Sequence, residues 1–480
     1  MDKNDLLAIL RPVGQEHLLA HWEQLDAGGR ESLARQIRSV DFRLIERLYS
    51  QRQDQGNFRD LALRAAPPAA FRLDTSKNRF SPDEARARGR QALAAGQVGA
   101  ILVAGGQGTR LGFDHPKGMF PIGPVSGRTL FQVHIEKLLA TARHFGVRMP
   151  LYVMTSPATH DETVQFFAAH DRFGLADDDL LIFCQGTMPA VDAATGQVLL
   201  EAPDRLALSP NGHGGLLAAF AGAPGVPARG SRVGFAMADA QRRGIRQLFY
   251  FQVDNPLVDI AGAEYIGYHI LAGAEMTSQV IAKRDPLEKV GNVVDVDGRL
   301  MVIEYSDLPD DIARRTNADG SLAIWAGSIA VHVFDLDFLA RAASQLDSQT
   351  DALPFHLAHK KVAWLDPSGR RVEPAEANAI KFERFIFDLM PSARNAIVVE
   401  VDPASAFAPL KNASGAAMDT PESVKAQISA LHRQWLVATG VETADGVAVE
   451  ISPWLALDAE DLRGKVRPGT RIAEPTYLES

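Results

Sequence analysis

Ala100-Ile-Leu-Val-Ala-Gly-Gly-Gln-Gly-Thr-Arg-Leu-Gly-Phe-Asp-His-Pro-Lys-Gly118 decides how the chain is read. The apolar run Ile101–Ala104 predicts a buried parallel strand, and it breaks into glycines at 105, 106, 108 and 112, with Arg110 and Lys117 among them. Backbone N–H groups freed of Cβ interference can close on an anion, and two cationic side chains supply the charge that a polyphosphate needs. The stretch therefore predicts a phosphate cradle. A dinucleotide fingerprint is excluded, because Gly-x-Gly-x-x-Gly would require glycine where Leu111 stands. A P-loop is excluded because no Gly-Lys-Ser/Thr triplet follows.

Around that stretch, 480 residues with 46% hydrophobic content accommodate two or three domains with substantial cores. A formal net charge of -9 argues against a nucleic-acid binder, since sequence-independent phosphate binding needs a basic surface. The single Cys184 cannot form an intrachain disulfide, the first residues lack the basic-then-apolar order of a secretory signal, and no apolar run approaches the roughly 18 residues of a membrane span. A cytoplasmic protein with no membrane and no nucleic-acid partner is expected, its oligomeric state left open.

The organisation expected is threefold: a helical N-terminal domain over 1–95, an α/β catalytic domain over 96–395 and a small C-terminal domain over 396–480. Leu6, Leu10, Leu18, Trp22, Leu33, Ile37, Ile45 and Leu48 recur at helical spacing. Pro67-Pro68 and residues 74–78 mark a linker, and a helix follows from Pro82 to Ala95. Beyond it, short apolar runs alternate with helical patterns, the signature of a mostly parallel sheet. The expected strands are Ile101–Ala104, Leu151–Thr155, Leu180–Cys184, Leu248–Val253, Thr277–Ala282, Leu300–Glu304 and Ser328–Val333, with a helix from Leu130 to Phe145. The last part holds Ile397–Val401, a helix from Thr420 to Thr439 and a turn-rich tail. Ligands in open parallel sheets bind beyond the carboxyl ends of strands, which directs attention to Thr155-Ser156, Gln185-Gly186 and Asp254-Asn255.

Asp254 ends a buried strand, where a carboxylate costs several kcal/mol to desolvate unless paired or metal-bound. Magnesium favours one or two carboxylates completed by phosphate oxygens and water, which fits a nucleotide site, while an Asp or Asn cap on a following helix is the structural alternative. Gly212-His-Gly-Gly215 is a second glycine loop, open to a base or ribose, or equally a plain turn. Glu288 and Glu304-Tyr-Ser306 put carboxylates near strand ends, where sugar hydroxyls or solvent could meet them. Lys381 and Lys411 are cations flanked by apolar residues, a setting that can hold an amine inward or let it snorkel out. His356 and His359 have i, i+3 spacing on a possible helix, without a Cys or third His for a metal. No Gly-x-Ser-x-Gly elbow or His-Glu-x-x-His occurs.

Taken together, these segments resemble the eukaryotic-type UDP-N-acetylglucosamine pyrophosphorylases within the wider family of UTP-dependent UDP-sugar pyrophosphorylases. The likeness runs in order through Ala104–Gly112, Pro116-Lys-Gly118, Gln185, the 210–215 loop, Val253-Asp-Asn255, Glu288-x-Val-Gly291 and Glu304-Tyr-Ser306. It continues through Asn378-x-Ile-Lys-x-Glu383, Phe387-Asp388, Pro409-Leu-Lys-Asn-Ala413 and Asp419-Thr-Pro421. The resemblance implies a Rossmann-like, GT-A-like nucleotidyltransferase domain with a mostly parallel mixed sheet and smaller flanking domains. It implies a magnesium-requiring uridylyltransferase that joins UTP and a sugar 1-phosphate into a UDP-sugar and pyrophosphate. Carried onto this chain, Ala104, Gly105 and Gly106 hold the nucleotide, with Gln185 and Gly212 near uracil. Arg110, Lys117, Lys381 and Lys411 reach the phosphates, Asp254 binds magnesium, and Glu304 and Tyr305 face the sugar.

Two departures fall where the resemblance puts the sugar. His213 stands where the N-acetylglucosamine enzymes carry Asn, as in the UDP-glucose enzymes, and Ala326-Gly-Ser-Ile329 replaces Ala-Gly-Asn-Ile. A shorter or differently bonded side chain changes pocket volume and hydrogen bonding, so His213 and Ser328 bear on sugar choice. N-acetylglucosamine 1-phosphate is the first expectation; glucose 1-phosphate, or a broad range of sugar 1-phosphates, is the alternative.

Overall fold

The computed structural model describes residues 3–51, 58–222, 236–346 and 353–479. Its centre is a ten-stranded sheet made of β1 (Ala70–Phe71), β2 (Val98–Val103), β3 (Leu151–Thr155), β4 (Leu180–Cys184), β5 (Gln247–Gln252), β6 (Met276–Ala282), β7 (Gly291–Val296), β8 (Arg299–Ile303), β9 (Ala326–Asp335) and β10 (Ala396–Glu400). The spatial order is β1-β10-β6-β9-β5-β2-β3-β4, with β7 pairing β9 and β8. The pairs β5/β2, β2/β3 and β3/β4 are parallel, as are β1/β10 and β10/β6; β9 runs antiparallel to both β5 and β6. The sheet is thus mostly parallel and mixed, as expected.

Buried strands explain the apolar runs. Ala100 and Leu102 lie in one core with Phe249, Phe251 and Leu138, whereas Ile101 packs on the other face with Tyr250 and Leu248. Both faces are covered, so no polar alternation is required. The helix Leu130–Phe145 covers the first face, capped by Thr129 Oγ1, which accepts from Gln132 N, and closed by Gly146 in the left-handed region. A Ser81–Glu84 capping box starts the helix Pro82–Ala94, which packs on Ala263–Leu271.

The strand bounds expected from sequence recur within a residue or two, except that β2 begins three residues early, at Val98; three further differences stand out. β1 and β7 were not anticipated. β10 lies inside the central sheet, so the part of the chain expected to begin a C-terminal unit at 396 first supplies a central strand. His356 and His359 sit on a strand, His356–Lys360, in which i and i+3 project to opposite faces rather than one.

The N-terminal helices Lys3–Leu10, Ala27–Ser39 and Phe42–Ser50 bury Leu6, Leu10, Leu33, Ile37 and Ile45 against Val191, Ile380 and Phe382 of a smaller three-stranded sheet. At the other end, the helix Pro421–Ala438 and two parallel strand pairs enclose Leu436, Val441, Val449 and Leu462. Among the described residues no helix is long and apolar enough to cross a membrane.

Candidate active site

The loop after β2 folds back on itself: Gly108 N donates to His115 O at 2.9 Å and Lys117 N to Gly106 O at 3.0 Å. Two 3-10 turns, Thr109–Leu111 and Lys117–Met119, complete it. Ser156, just past β3, donates from Oγ to Gly105 O at 2.7 Å and so fixes the loop to the next strand end. A Cβ added at Gly106 would meet nothing within 4 Å, so that backbone is open on its outer side, as an anion cradle requires. Arg110 is exposed and has no ion-pair partner among the described residues. Ala104 is buried at the base of the loop.

The neighbouring strand ends continue this wall. Gln185 N donates to Thr155 O at 2.9 Å, and Asn211 N to Gly186 O at 3.3 Å. The structure thus brings Gln185 and Gly212, expected near uracil, onto adjacent backbones. The reason for the second glycine loop differs from the one read in the sequence. Gly212 has φ 80°, and a Cβ there would lie 2.3 Å from Arg384 O; at Gly214 it would lie 2.7 Å from Arg384 C. Gly214 N donates to Arg384 O at 2.7 Å. These glycines let two protein backbones meet, where an open face for a flat ligand was envisaged.

Lys117 Nζ donates to Leu410 O at 3.2 Å and stands 3.8 Å from Asp254 Oδ2, both side chains mostly buried. Leu410 N in turn donates to Asp254 O at 2.8 Å. Asn255 is a clip: its Oδ1 accepts from Ala408 N at 3.0 Å and its Nδ2 donates to Ala406 O at 2.8 Å. Three segments far apart in sequence therefore converge, and Lys411 follows directly. Lys411 N and Asn412 N both donate to Asp419 O. Burial raises the Asp419 carboxyl above the ordinary carboxylate range; Lys411 opposes the shift, while Asp254 and Glu288 add to it. Asp419, held at φ 58°, was quoted in the sequence only as part of a motif before a helix.

No group of three or more His, Cys, Asp or Glu side chains among the described residues forms a closed metal cage. Asp254, with Asp419 as charged neighbour, instead offers the sparse carboxylate set that magnesium completes with phosphate oxygens and water. Those donors fit that ion.

On the opposite side, Glu304 and Ser328 flank Gly291: a Cβ there would lie 3.2 Å from Glu304 Oε1 and 3.9 Å from Ser328 Cβ. The strand β9 is irregular at this point. Its register with β6 shifts between Ser278 and Val280, Ala330 has φ 55°, and Ser328 Oγ accepts from Ala330 N at 3.3 Å. Burial pushes Glu304 up to about 7; Asp307 and Asp388 add to this, and His356 and Lys411 oppose it. His356 Nε2 pairs with Asp388 Oδ2 at 2.7 Å, and although burial pulls the imidazole down, that carboxylate outweighs it and the net shift is upward. His213 stacks on Phe385 at 5.2 Å, and its Nδ1 accepts from Ile386 N at 3.2 Å. Burial lowers His213 to about 4, with His356 as repelling neighbour. Its ring is a neutral wall whose Nδ1 is already used. Tyr305 is 47% exposed.

Lys381 is not drawn into this convergence by any contact. It sits half-buried on the strand Ala379–Glu383 opposite Ala358, on the face away from the buried Ile380 and Phe382. Ser156 was singled out in the sequence as a strand end, without a role. The pairing of His356 with Asp388 and the charge of Asp419 are what sequence reading passed over.

The family model described as UTP--glucose-1-phosphate uridylyltransferase matches residues 42–434. The chain is 34% identical over 476 residues to the UDP-N-acetylglucosamine pyrophosphorylase of Saccharomyces cerevisiae, covering 95% of this chain and 96% of the relative. Its fold is similar to that of the crystal structure of the uridine diphosphate N-acetylglucosamine pyrophosphorylase from Trypanosoma brucei in complex with inhibitor, with TM-score 0.81 and 28% identity over 100% and 99% of the two chains. A mutant UDP-glucose pyrophosphorylase of Leishmania major in complex with UDP-glucose is similar in fold, with TM-score 0.59 and 14% identity over 95% and 100%.

Proposed function

Because the chain belongs to the UTP--glucose-1-phosphate uridylyltransferase family, whose model matches most of its length, we propose that it is a nucleotidyltransferase making UDP-N-acetylglucosamine and pyrophosphate from UTP and N-acetylglucosamine 1-phosphate. The observation that carries the reaction is the convergence of Lys117, Asp254 and the Leu410-Lys411 segment beyond the open glycine loop. The sugar follows the relative that is 34% identical, whereas the UDP-glucose structure at 14% identity supports the fold alone. His213 does not weigh for glucose, since its ring lies against Phe385 and Phe387 and its Nδ1 is bound to backbone.

In this reaction an oxygen of the sugar phosphate attacks the α-phosphorus of UTP, the bond from that phosphorus to the bridging oxygen breaks, and pyrophosphate leaves with the electron pair. The attacking oxygen is already ionised at neutral pH, so no strong general base is required, and catalysis is alignment plus charge neutralisation. The backbone of Ala104, Gly105 and Gly106 holds the phosphates, with Gln185 and Gly212 bordering the base. Arg110, Lys117 and Lys411 offset charge on the α-phosphate and the leaving group. Lys381 approaches from the smaller sheet once nucleotide is bound. Glu304 and Ser328, with His213 and Tyr305 around them, border the sugar. Magnesium, held by Asp254, supplies further neutralisation when bound. A cytoplasmic location belongs to the same proposal and is supported by the single, buried Cys184.

The test is pyrophosphate release from UTP, magnesium and a panel of sugar 1-phosphates. N-acetylglucosamine 1-phosphate is expected to react fastest; faster turnover of glucose 1-phosphate would move the assignment to the second sugar, and inert hexose phosphates throughout would refute the reaction. Chelation of magnesium is expected to abolish release, and Asp254→Asn to reproduce that loss in excess magnesium.

A further inference from the structure

A cavity of about 400 Å³ lies away from the catalytic cleft, between the helix Leu130–Phe145, the edge of the sheet at β6 and β10, and the helix Pro421–Ala438. Its size is that of a small-molecule site. One wall is the segment 256–260, which begins two residues after Asp254; another is 399–406, which leads into Phe407–Lys411.

Two polar side chains at this cavity keep hydrogen-bonding capacity unused among the described residues. Gln279 of β6 is 6% exposed, lines the cavity and has no hydrogen-bond partner for its side-chain amide among the described residues. His432 is 9% exposed, and its Nδ1 accepts from Ile451 N at 3.1 Å. The imidazole proton therefore sits on Nε2, a donor without a partner among the described residues. Burial lowers this ring to about 3, so it stays neutral. Both groups are open to the cavity, where an occupant can take up their hydrogen bonds.

The lining also selects among ligands. Trp435 stands beside the His432 ring at 5.0 Å, and Leu431, Val399, Tyr265 and Val258 supply apolar wall. Of the seven carboxylates in the lining, Glu136, Glu264 and Glu400 are paired with Arg128, Arg86 and Arg72, and Asp402, Glu450 and Asp458 accept backbone N–H groups, which leaves Asp259 without a partner among the described residues. Lys137 donates to Pro256 O at 2.6 Å and Val258 O at 3.1 Å. Asp259 borders both this cavity and the adjoining groove toward Asp458 and Asp461. Among the described residues its exposed side chain makes no hydrogen bond; desolvation on its inner side and Asp458 raise its carboxyl above the ordinary range, and Lys137 opposes the shift. A carboxylate without a partner at the wall disfavours phosphates, nucleotides and pyrophosphate and favours a cationic group.

We propose that this cavity is a second small-molecule site, taking a compact amine with an apolar or aromatic body: the ammonium on Asp259, the body against Trp435 and Leu431, and polar atoms on Gln279 and His432 Nε2. Bound there, the ligand bridges the two segments that run on to Asp254 and Lys411.

Calorimetry on the full chain with three indoles of one shape tests this: cationic tryptamine, neutral tryptophol and anionic indole-3-propionate. Tryptamine is expected to bind saturably at millimolar concentration or below, about tenfold or more tighter than the anion, as a charge-assisted hydrogen bond implies. Saturating UTP with magnesium is expected to leave tryptamine bound, and amide exchange in 256–260 to slow. Asp259→Asn is expected to remove the preference for charge, with circular dichroism confirming the fold. Equal binding of all three indoles, displacement by UTP, or no saturable binding by any of them would overturn the site, and the wild-type ligand series stands even if the variant does not fold.

Discussion

Lys117 is placed by a carbonyl and a carboxylate from two other segments, so its amine is aimed before any substrate arrives. Lys117→Ala is expected to lower kcat by about 2–4 kcal/mol of transition-state stabilisation, by analogy with loss of an oxyanion donor, in a protein whose thermal unfolding is little changed. Near-normal turnover would remove Lys117 from the catalytic set. Glu304 behaves differently. Its carboxyl is raised from 4.5 to about 7 by burial, so it favours folding while protonated, and that contribution is lost as pH rises from about 4.5 through 7. Glu304→Gln is expected to match the wild type near pH 4.5 and to be about 1–3 kcal/mol more stable near pH 8, by denaturant titration without ligands. A difference independent of pH would refute the perturbed carboxyl. Asp254 was legible because it stands just past a strand end, and Lys117 because it belongs to the glycine loop that follows β2. The His356–Asp388 pair was not, because 32 residues separate partners that meet only when the strand His356–Lys360 and the 3-10 helix Ile386–Ser392 come together.

The two glycine loops look alike as sequence elements, yet the fold uses them for opposite purposes. Gly106 faces open space, whereas Gly212 faces the backbone of Arg384 and lies at φ 80°. Gly106→Ala is expected to keep the unfolding midpoint and to raise the KM for UTP several-fold. Gly212→Ala is expected to cost about 1–3 kcal/mol or more of stability, since both strain and overlap must be relieved. A Gly212→Ala protein as stable as wild type would mean that the 211–215 and 384–387 segments are not in contact as described. Strands were read well where apolar runs were unbroken, as in β3 and β4. The strand β7 begins with Gly291-Asn292 and carries Asp295, which break up its apolar run, and pairing with β8 and β9 makes it a strand.

At the scale of the whole molecule, the N-terminal helices serve the site at one remove. Trp22, Leu18 and Ile37 bury the face of the strand Ala379–Glu383 opposite to Lys381. Trp22→Ala is expected to cost about 3–5 kcal/mol of stability and to raise the KM for UTP more than it lowers kcat; an unchanged KM in a destabilised protein would mean that Lys381 has no part in nucleotide binding. The amino-acid sequence by itself determined the layered α/β architecture, the glycine loop after β2 and the family, because strand periodicity, glycine spacing and charged residues at strand ends are local properties. Only the tertiary structure decided that β10 belongs to the central sheet, that the Gly212 loop seats backbone, that Glu304 is held near neutrality, and that a carboxylate-lined cavity opens behind Asp254. Each of these depends on which distant segments are brought together, and burial and pairing are set by that three-dimensional packing and by no short stretch of chain.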